Sequence, residues 1–142
     1  MAKLIFVNLP VADLPRAVGF YEAVGAVKNP QFSDDTAACM VFSETIHTML
    51  LTHAKFRQFT TKAIPDAKRS AQVMLCLSRD SRDHVDATLA DVAAAGGNAD
   101  CDPPQDYGFM YGRSFEDPDG HCWGVNYMDL EAAKAQFATE NA

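Results

Sequence analysis

The sequence has no long hydrophobic run: its longest apolar stretches, at 48–51 and 73–77, fall far short of the roughly 20 residues that a membrane span requires. Positive charge is also scarce, with 12 Lys and Arg against 19 Asp and Glu. The resulting net charge of -7 repels phosphate backbones and anionic lipid, so neither nucleic acid nor a membrane is an expected partner. No CxxC pair occurs among Cys39, Cys76, Cys101 and Cys122, which lie mostly in apolar segments. They read as buried free thiols of a reducing compartment rather than as a disulfide framework or zinc site. Walker-type loops, dinucleotide fingerprints and serine elbows are missing too, which removes the commonest nucleotide and hydrolase chemistries. Met1-Ala2-Lys3 leads directly into a strand-like segment instead of a secretory leader, so a cytoplasmic address is expected.

What is present is enough apolar material for a core, 48% of 142 residues, and a pattern stated twice. Residues 4–11 are β-rich; Asp13 then caps a helix with Leu14, Ala17, Val18, Tyr21 and Val24 at helical spacing, and Gly25 stops it. Two short strands follow, at 37–42 and 46–52, separated by Ser43-Glu44. The second half repeats the order. A strand at 73–78 precedes a helix that Ser81 or Asp83 caps, with Val85, Leu89, Val92 and Ala93 facing inward and Gly96-Gly97 at its end. Strands at 111–116 and 121–127 are then joined by the turn sequence Asp117-Pro118-Asp119-Gly120.

Residues 54–70 between the halves concentrate Lys55, Arg57, Lys62, Lys68 and Arg69 in an otherwise acidic chain. They read as a solvated connector, with an electropositive lid over an anionic ligand as the alternative. Asp129 caps a final helix through Leu130, Ala133 and Phe137. The expected layout is therefore one domain over 1–142: a first module at about 3–53, the basic linker at 54–70, a second module at about 71–128 and a C-terminal helix at about 129–139. Each module alone is a small open sheet with one covering helix, so the two must join to bury a core.

Two strings carry a resemblance. Phe6-Val7-Asn8-Leu9-Pro10-Val11-Ala12-Asp13-Leu14, followed by Ala17 and Phe20-Tyr21, resembles the opening strand and helix of the vicinal oxygen chelate superfamily of glyoxalases, bleomycin-resistance proteins and dioxygenases. Phe115-Glu116-Asp117-Pro118-Asp119-Gly120-His121 resembles its closing hairpin. The resemblance implies an α+β fold of two pseudo-symmetric β-α-β-β-β modules, whose curled mixed sheet forms a cup with helices outside. It also implies a homodimer, with modules paired within one chain or between two, and a divalent metal held on four strand positions.

Carried over by position, those four ligands fall on Phe6, Leu50, Met74 (Val73 if the register slips by one) and Gly124. Phenylalanine, leucine and glycine offer no donor, and a thioether suits a hard divalent ion poorly. A degenerate metal site without a cofactor follows. Three readings stay open: a binding protein for a small, mostly apolar ligand, a metal-dependent lyase, isomerase or dioxygenase with a relocated site, and a structural or regulatory dimer. Strand alternation from those positions places Asn8 beside Phe6, Thr48 beside Leu50, Cys76 beside Met74, and Cys122 and Asn126 beside Gly124. Tyr107, Tyr111 and Arg113 belong to an aromatic, glycine-containing run that reads either as a flap over the cup, with Arg113 as anion partner, or as cover for the sheet edge. Trp123 and Tyr127 are expected on the helix side. His47 and His121 hold matching places in the two halves and are the lesser candidates for a relocated metal, since their offset points them away from the ligand face. Cys76 and Cys122 read as small hydrophobes rather than nucleophiles, because no motif supplies a histidine base.

Overall fold

A computed structural model describes residues 2–140. The first module runs β1 (Ile5–Val11), α1 (Leu14–Ala23), β2 (Val27–Asn29), β3 (Ala37–Val41) and β4 (Ile46–Thr52). A short helix, α2 (His53–Phe56), opens the linker. The second module runs β5 (Met74–Ser78), α3 (Arg82–Ala94), β6 (Asn98–Ala99), β7 (Gln105–Asp106), β8 (Met110–Glu116) and β9 (Cys122–Met128), and α4 (Leu130–Glu140) closes the chain. The first sheet has the order β1-β4-β3-β2 and the second β5-β9-β8-β6, with β7 added against β8. In both, the first strand pairs parallel with the last and the remaining main pairs are antiparallel. The repeat read in the sequence is thus a repeat of topology. Among the described residues no helix is long and apolar enough to cross a membrane.

Local signals set the helix ends. The Asp13 carboxylate accepts from the Arg16 N–H at 3.1 Å, and Ser81 Oγ accepts from the His84 N–H at 3.0 Å. Each cap contributes about 1 kcal/mol by satisfying an orphan donor of the first turn. At the other ends Gly25 (φ 108°) and Gly96 (φ 90°) take left-handed conformations that release the chain toward the next strand. Ser81 rather than Asp83 is the cap of α3, and its buried face contains Thr88 in place of the expected Ala93.

The modules share one core. Phe20 of α1 meets Phe115 of β8 with ring centroids 6.1 Å apart, and Tyr21 meets Trp123 of β9 edge-on at 5.8 Å. Phe42, just past β3, reaches the same indole at 5.7 Å. The Arg79 guanidinium bridges the halves, donating to the Val24 carbonyl and to Thr88 Oγ1, both at 3.0 Å. At the centre, Tyr21 Oη donates to Asp117 Oδ2 at 2.5 Å and accepts from Trp123 Nε1 at 2.9 Å. Asp117 Oδ1 takes the backbone N–H groups of Asp119 and His121, so the Asp-Pro-Asp-Gly turn is pinned to α1. Trp123 is core, as its alternation along β9 required, and Tyr127 packs against the same cluster.

The four cysteines are free, but only Cys39 is buried, whereas Cys76 is exposed and Cys101 and Cys122 are half-buried. The expectation of buried thiols failed because three of them lie on, or against, the open face of the second sheet.

Candidate functional site

Register decides which side chains the open face of the second sheet presents. Met74 pairs with Cys122, Cys76 with Gly124 and Ser78 with Asn126 across the β5·β9 ladder. Gly112, Ser114 and Glu116 stand opposite Asn126, Gly124 and Cys122 across β8·β9. These residues share one face because directly paired residues point to the same side of a sheet. The other face carries Leu77, Phe115, Trp123 and Val125 into the core.

A pocket of about 260 Å³ lies on the open face, with Met74, Cys76, Met110, Ser114, Cys122, Gly124 and Asn126 among its lining. The loop between β6 and β7 forms one wall with Cys101, Asp102 and Pro103, continued by Gln105 of β7. That loop is held by the Asp100 N–H on the Ser114 carbonyl at 2.8 Å and the Asp102 N–H on Ser114 Oγ at 3.2 Å. Gly124 is part of the shape: a Cβ there would stand 2.9 Å from Cys76 Sγ, so any larger residue displaces the thiol. Asn126 Nδ2 donates to the same sulfur at 3.3 Å. Desolvation pushes the Cys76, Cys101 and Cys122 thiols up from their ordinary range, which keeps them protonated and poorly nucleophilic at neutral pH.

Five of the residues expected in the cup, Met74, Cys76, Cys122, Gly124 and Asn126, therefore meet in one pocket. Phe6 and Asn8 do not join them. They occupy the corresponding face of the first sheet, where Phe6 is 48% exposed and Asn8 borders crevices beside Phe56 and Val73. Thr48 and Leu50 point the opposite way from the expectation. The parallel pairing sets Val7 beside Thr48 and Leu9 beside Leu50, and both β4 residues are fully buried on the core side. His47, Met49 and Leu51 take the Phe6 face instead, and the His47 ring stacks on Phe6 with centroids 4.6 Å apart.

Tyr111 and Arg113 face the helix side with Phe115. The Arg113 guanidinium binds Asp100 at 2.5 and 2.9 Å and Asp86 of α3 at 2.9 Å, and Tyr111 Oη donates to Asp86 at 2.6 Å. Arg113 borders the pocket through its backbone, its carbonyl lying 3.7 Å from where a Gly124 Cβ would be. Tyr107 stands apart, stacked on Phe109 at 6.2 Å, and Phe109 in turn meets Phe137 of α4. Of this run Met110 and Gly112 line the pocket, whereas the rings of Tyr107, Phe109 and Tyr111 make their contacts elsewhere rather than capping it. Cys101, Asp102, Pro103, Gln105, Met110 and Ser114 were among the lining residues missed, although Met110 and Ser114 could have been found by counting along β8 from buried Phe115, whose alternate neighbours face the other way.

The family model described as glyoxalase/bleomycin resistance protein/dioxygenase superfamily matches residues 3–125. The chain belongs to that superfamily. Its fold is similar to that of hypothetical protein SA1046 from S. aureus, at 25% identity and a TM-score of 0.74, covering 89% of this chain and 95% of that one. A glyoxalase/bleomycin resistance protein/dioxygenase family enzyme from Burkholderia phytofirmans PsJN gives 18% identity and a TM-score of 0.73 over 89% and 99% of the two chains. The fosfomycin resistance protein FosX from Mesorhizobium loti gives 16% identity and 0.67 over 94% and 98%. No curated protein matches the chain.

The divalent metal implied by this superfamily does not fit the residues present. On the Phe6 face of the first sheet, β4 offers His47, Met49 and Leu51, so His47 lies on the ligand face against expectation, but no carboxylate of β4 stands beside it. Phe6 and Gly124 supply no donor, and Met74 supplies a thioether, a poor match for a hard ion. Among the described residues no group of three or more His, Cys, Asp or Glu side chains is arranged to hold a metal ion. The two histidines weighed for a relocated site make separate contacts: His47 stacks on Phe6, and His121 Nε2 lies 2.7 Å from the Pro10 carbonyl.

Proposed function

We propose that this superfamily member binds a small, mostly apolar molecule in the pocket of its second sheet, without the divalent metal. The observation that carries the reading is the pocket itself, whose floor is built from Met74, Cys76, Cys122 and Gly124 at and around positions where the family pattern would put ligands. An apolar lining with a few oriented polar groups, here Asn126 and Ser114, is the usual character of a small-molecule site. The thioethers and protonated thiols add polarisable contacts that suit an aromatic or aliphatic body.

The test is binding of a neutral apolar fluorophore such as Nile red, compared between the native chain and Gly124→Leu. The leucine side chain grows into the space that Cys76 Sγ and the ligand share. Saturable binding is expected in the native protein and a loss of roughly tenfold or more in the variant, with circular dichroism confirming that both are folded. Equal binding by the two would remove the pocket from consideration, and a stoichiometric divalent metal surviving dialysis would end the metal-free part of the reading. The same reading includes a homodimer, supported by exposed Leu4, Ile5 and Phe6 at the start of β1 and Val73 and Met74 at the start of β5, both edge strands. A monomeric mass in light scattering would contradict it.

A further inference from the structure

Among the described residues the pocket carries negative charge and no positive charge of its own. Arg113, the one basic residue bordering it, turns its guanidinium to Asp86 and Asp100 on the opposite face. Asp102 is then the charged side chain in the pocket wall. Glu116 lies outside that lining, but its pairing with Cys122 puts it on the same open face beside the site, where it adds a second carboxylate. The Asp102 N–H bonds Ser114 Oγ at 3.2 Å, Cys101 Sγ lies 3.6 Å from the same oxygen, and Glu116 stands further along β8 opposite Cys122, which gathers the two acids and two thiols at one end of the site. Among the described residues neither Asp102 nor Glu116 has a basic partner, whereas Asp86, Asp100 and Asp106 are each paired with an arginine. The Glu116 carboxylate accepts from the neutral amide of Asn98 at 2.9 Å.

Resting on the proposed ligand pocket, we infer that it selects a cationic amphiphile: an amine whose apolar body lies against Met74, Cys76 and Met110 and whose charged head lies at the Asp102 and Glu116 end. A carboxylate or phosphonate of the same shape meets repulsion there. Because the two acids are solvated in part, the preference is modest, about three- to tenfold for the amine over a neutral isostere.

The experiment is calorimetric titration of the full chain with three probes that share one ring system: naphthylmethylamine, naphthylmethanol and naphthoate. The amine is expected to bind tightest and naphthoate weakest, with the spread narrowing as salt is added. In Asp102→Asn combined with Glu116→Gln, the amine-to-alcohol ratio is expected to fall toward one. Naphthoate binding as tightly as the amine overturns the inference, as does a ratio that the double variant leaves unchanged. If the alcohol binds and the ratio is flat, the pocket reading survives alone; if none of the three binds, both fall.

Discussion

Replacing Tyr21 with phenylalanine removes a single oxygen from the centre of the shared core while leaving the ring packing against Phe20, Phe42 and Trp123 in place. That oxygen serves two buried partners, the Asp117 carboxylate at 2.5 Å and the Trp123 indole N–H at 2.9 Å. Asp117 is 3% exposed and Trp123 4%, so water cannot readily replace it. Losing a hydrogen bond to a charged group and stranding an indole donor together cost about 3 kcal/mol. For a chain of 142 residues the unfolding entropy is about 0.3 kcal/mol/K, so the melting temperature should drop by about 10 °C.

The loss should also depend on pH. Burial holds the Asp117 carboxyl above its ordinary value, so its contribution to stability is greatest in acid and declines as pH rises through the folded value. The Tyr21 hydroxyl opposes that shift, and removing it raises the folded value further. The deficit of Tyr21→Phe should therefore widen from about pH 4 to about pH 7, read from urea midpoints at each pH. A melting shift under about 3 °C, or a deficit that narrows with rising pH, would refute the reasoning.

Gly97→Ala should lose about 2 kcal/mol, because the added Cβ would meet Phe20 Cε2 at 2.6 Å and the Glu116 carbonyl and Val92 Cγ1 at 2.8 Å; an unchanged urea midpoint would contradict the packing. Arg113→Gln should lose about 1 kcal/mol, since its carboxylate partners are largely solvated, yet leave Nile red affinity unchanged; weakened binding would put the guanidinium in the pocket after all. Hydrogen bonds from Arg82 hold the Asp106 carboxyl at about 2. A depressed value contributes stability above the ordinary carboxylate range and loses it as pH falls through the folded value, so the gap between native and Arg82→Gln should close from about pH 4 to about pH 2, as followed by circular dichroism.

The sequence by itself determined the elements whose signals are local. Asp13 caps because a side-chain oxygen next to a helical run finds an orphan N–H, the cap of α3 was narrowed to Ser81 or Asp83 on the same ground, and Gly25 and Gly96 end helices because left-handed backbone favours glycine. The open and buried faces of β1 were legible because Phe6 and Asn8 alternate with Leu9 and Val11, and the repeated order of strands and helix foretold two sheets of one topology. The short strands β2, β6 and β7 were not legible, since two or three residues carry no period. Only tertiary structure set the face of β4. Its centre, Met49-Leu50-Leu51, is apolar in succession, and Leu50 and Leu51 are buried on opposite sides, so no alternation fixes the register, and a slip of one residue moves Thr48 and Leu50 from the cup to the core. Tertiary structure likewise turned Arg113 toward acids 27 and 13 residues away and joined Tyr21 to Asp117 across 96 positions. Contacts at that separation leave no mark in local pattern, and they decide both the charge of the pocket and the anchoring of the turn beside it.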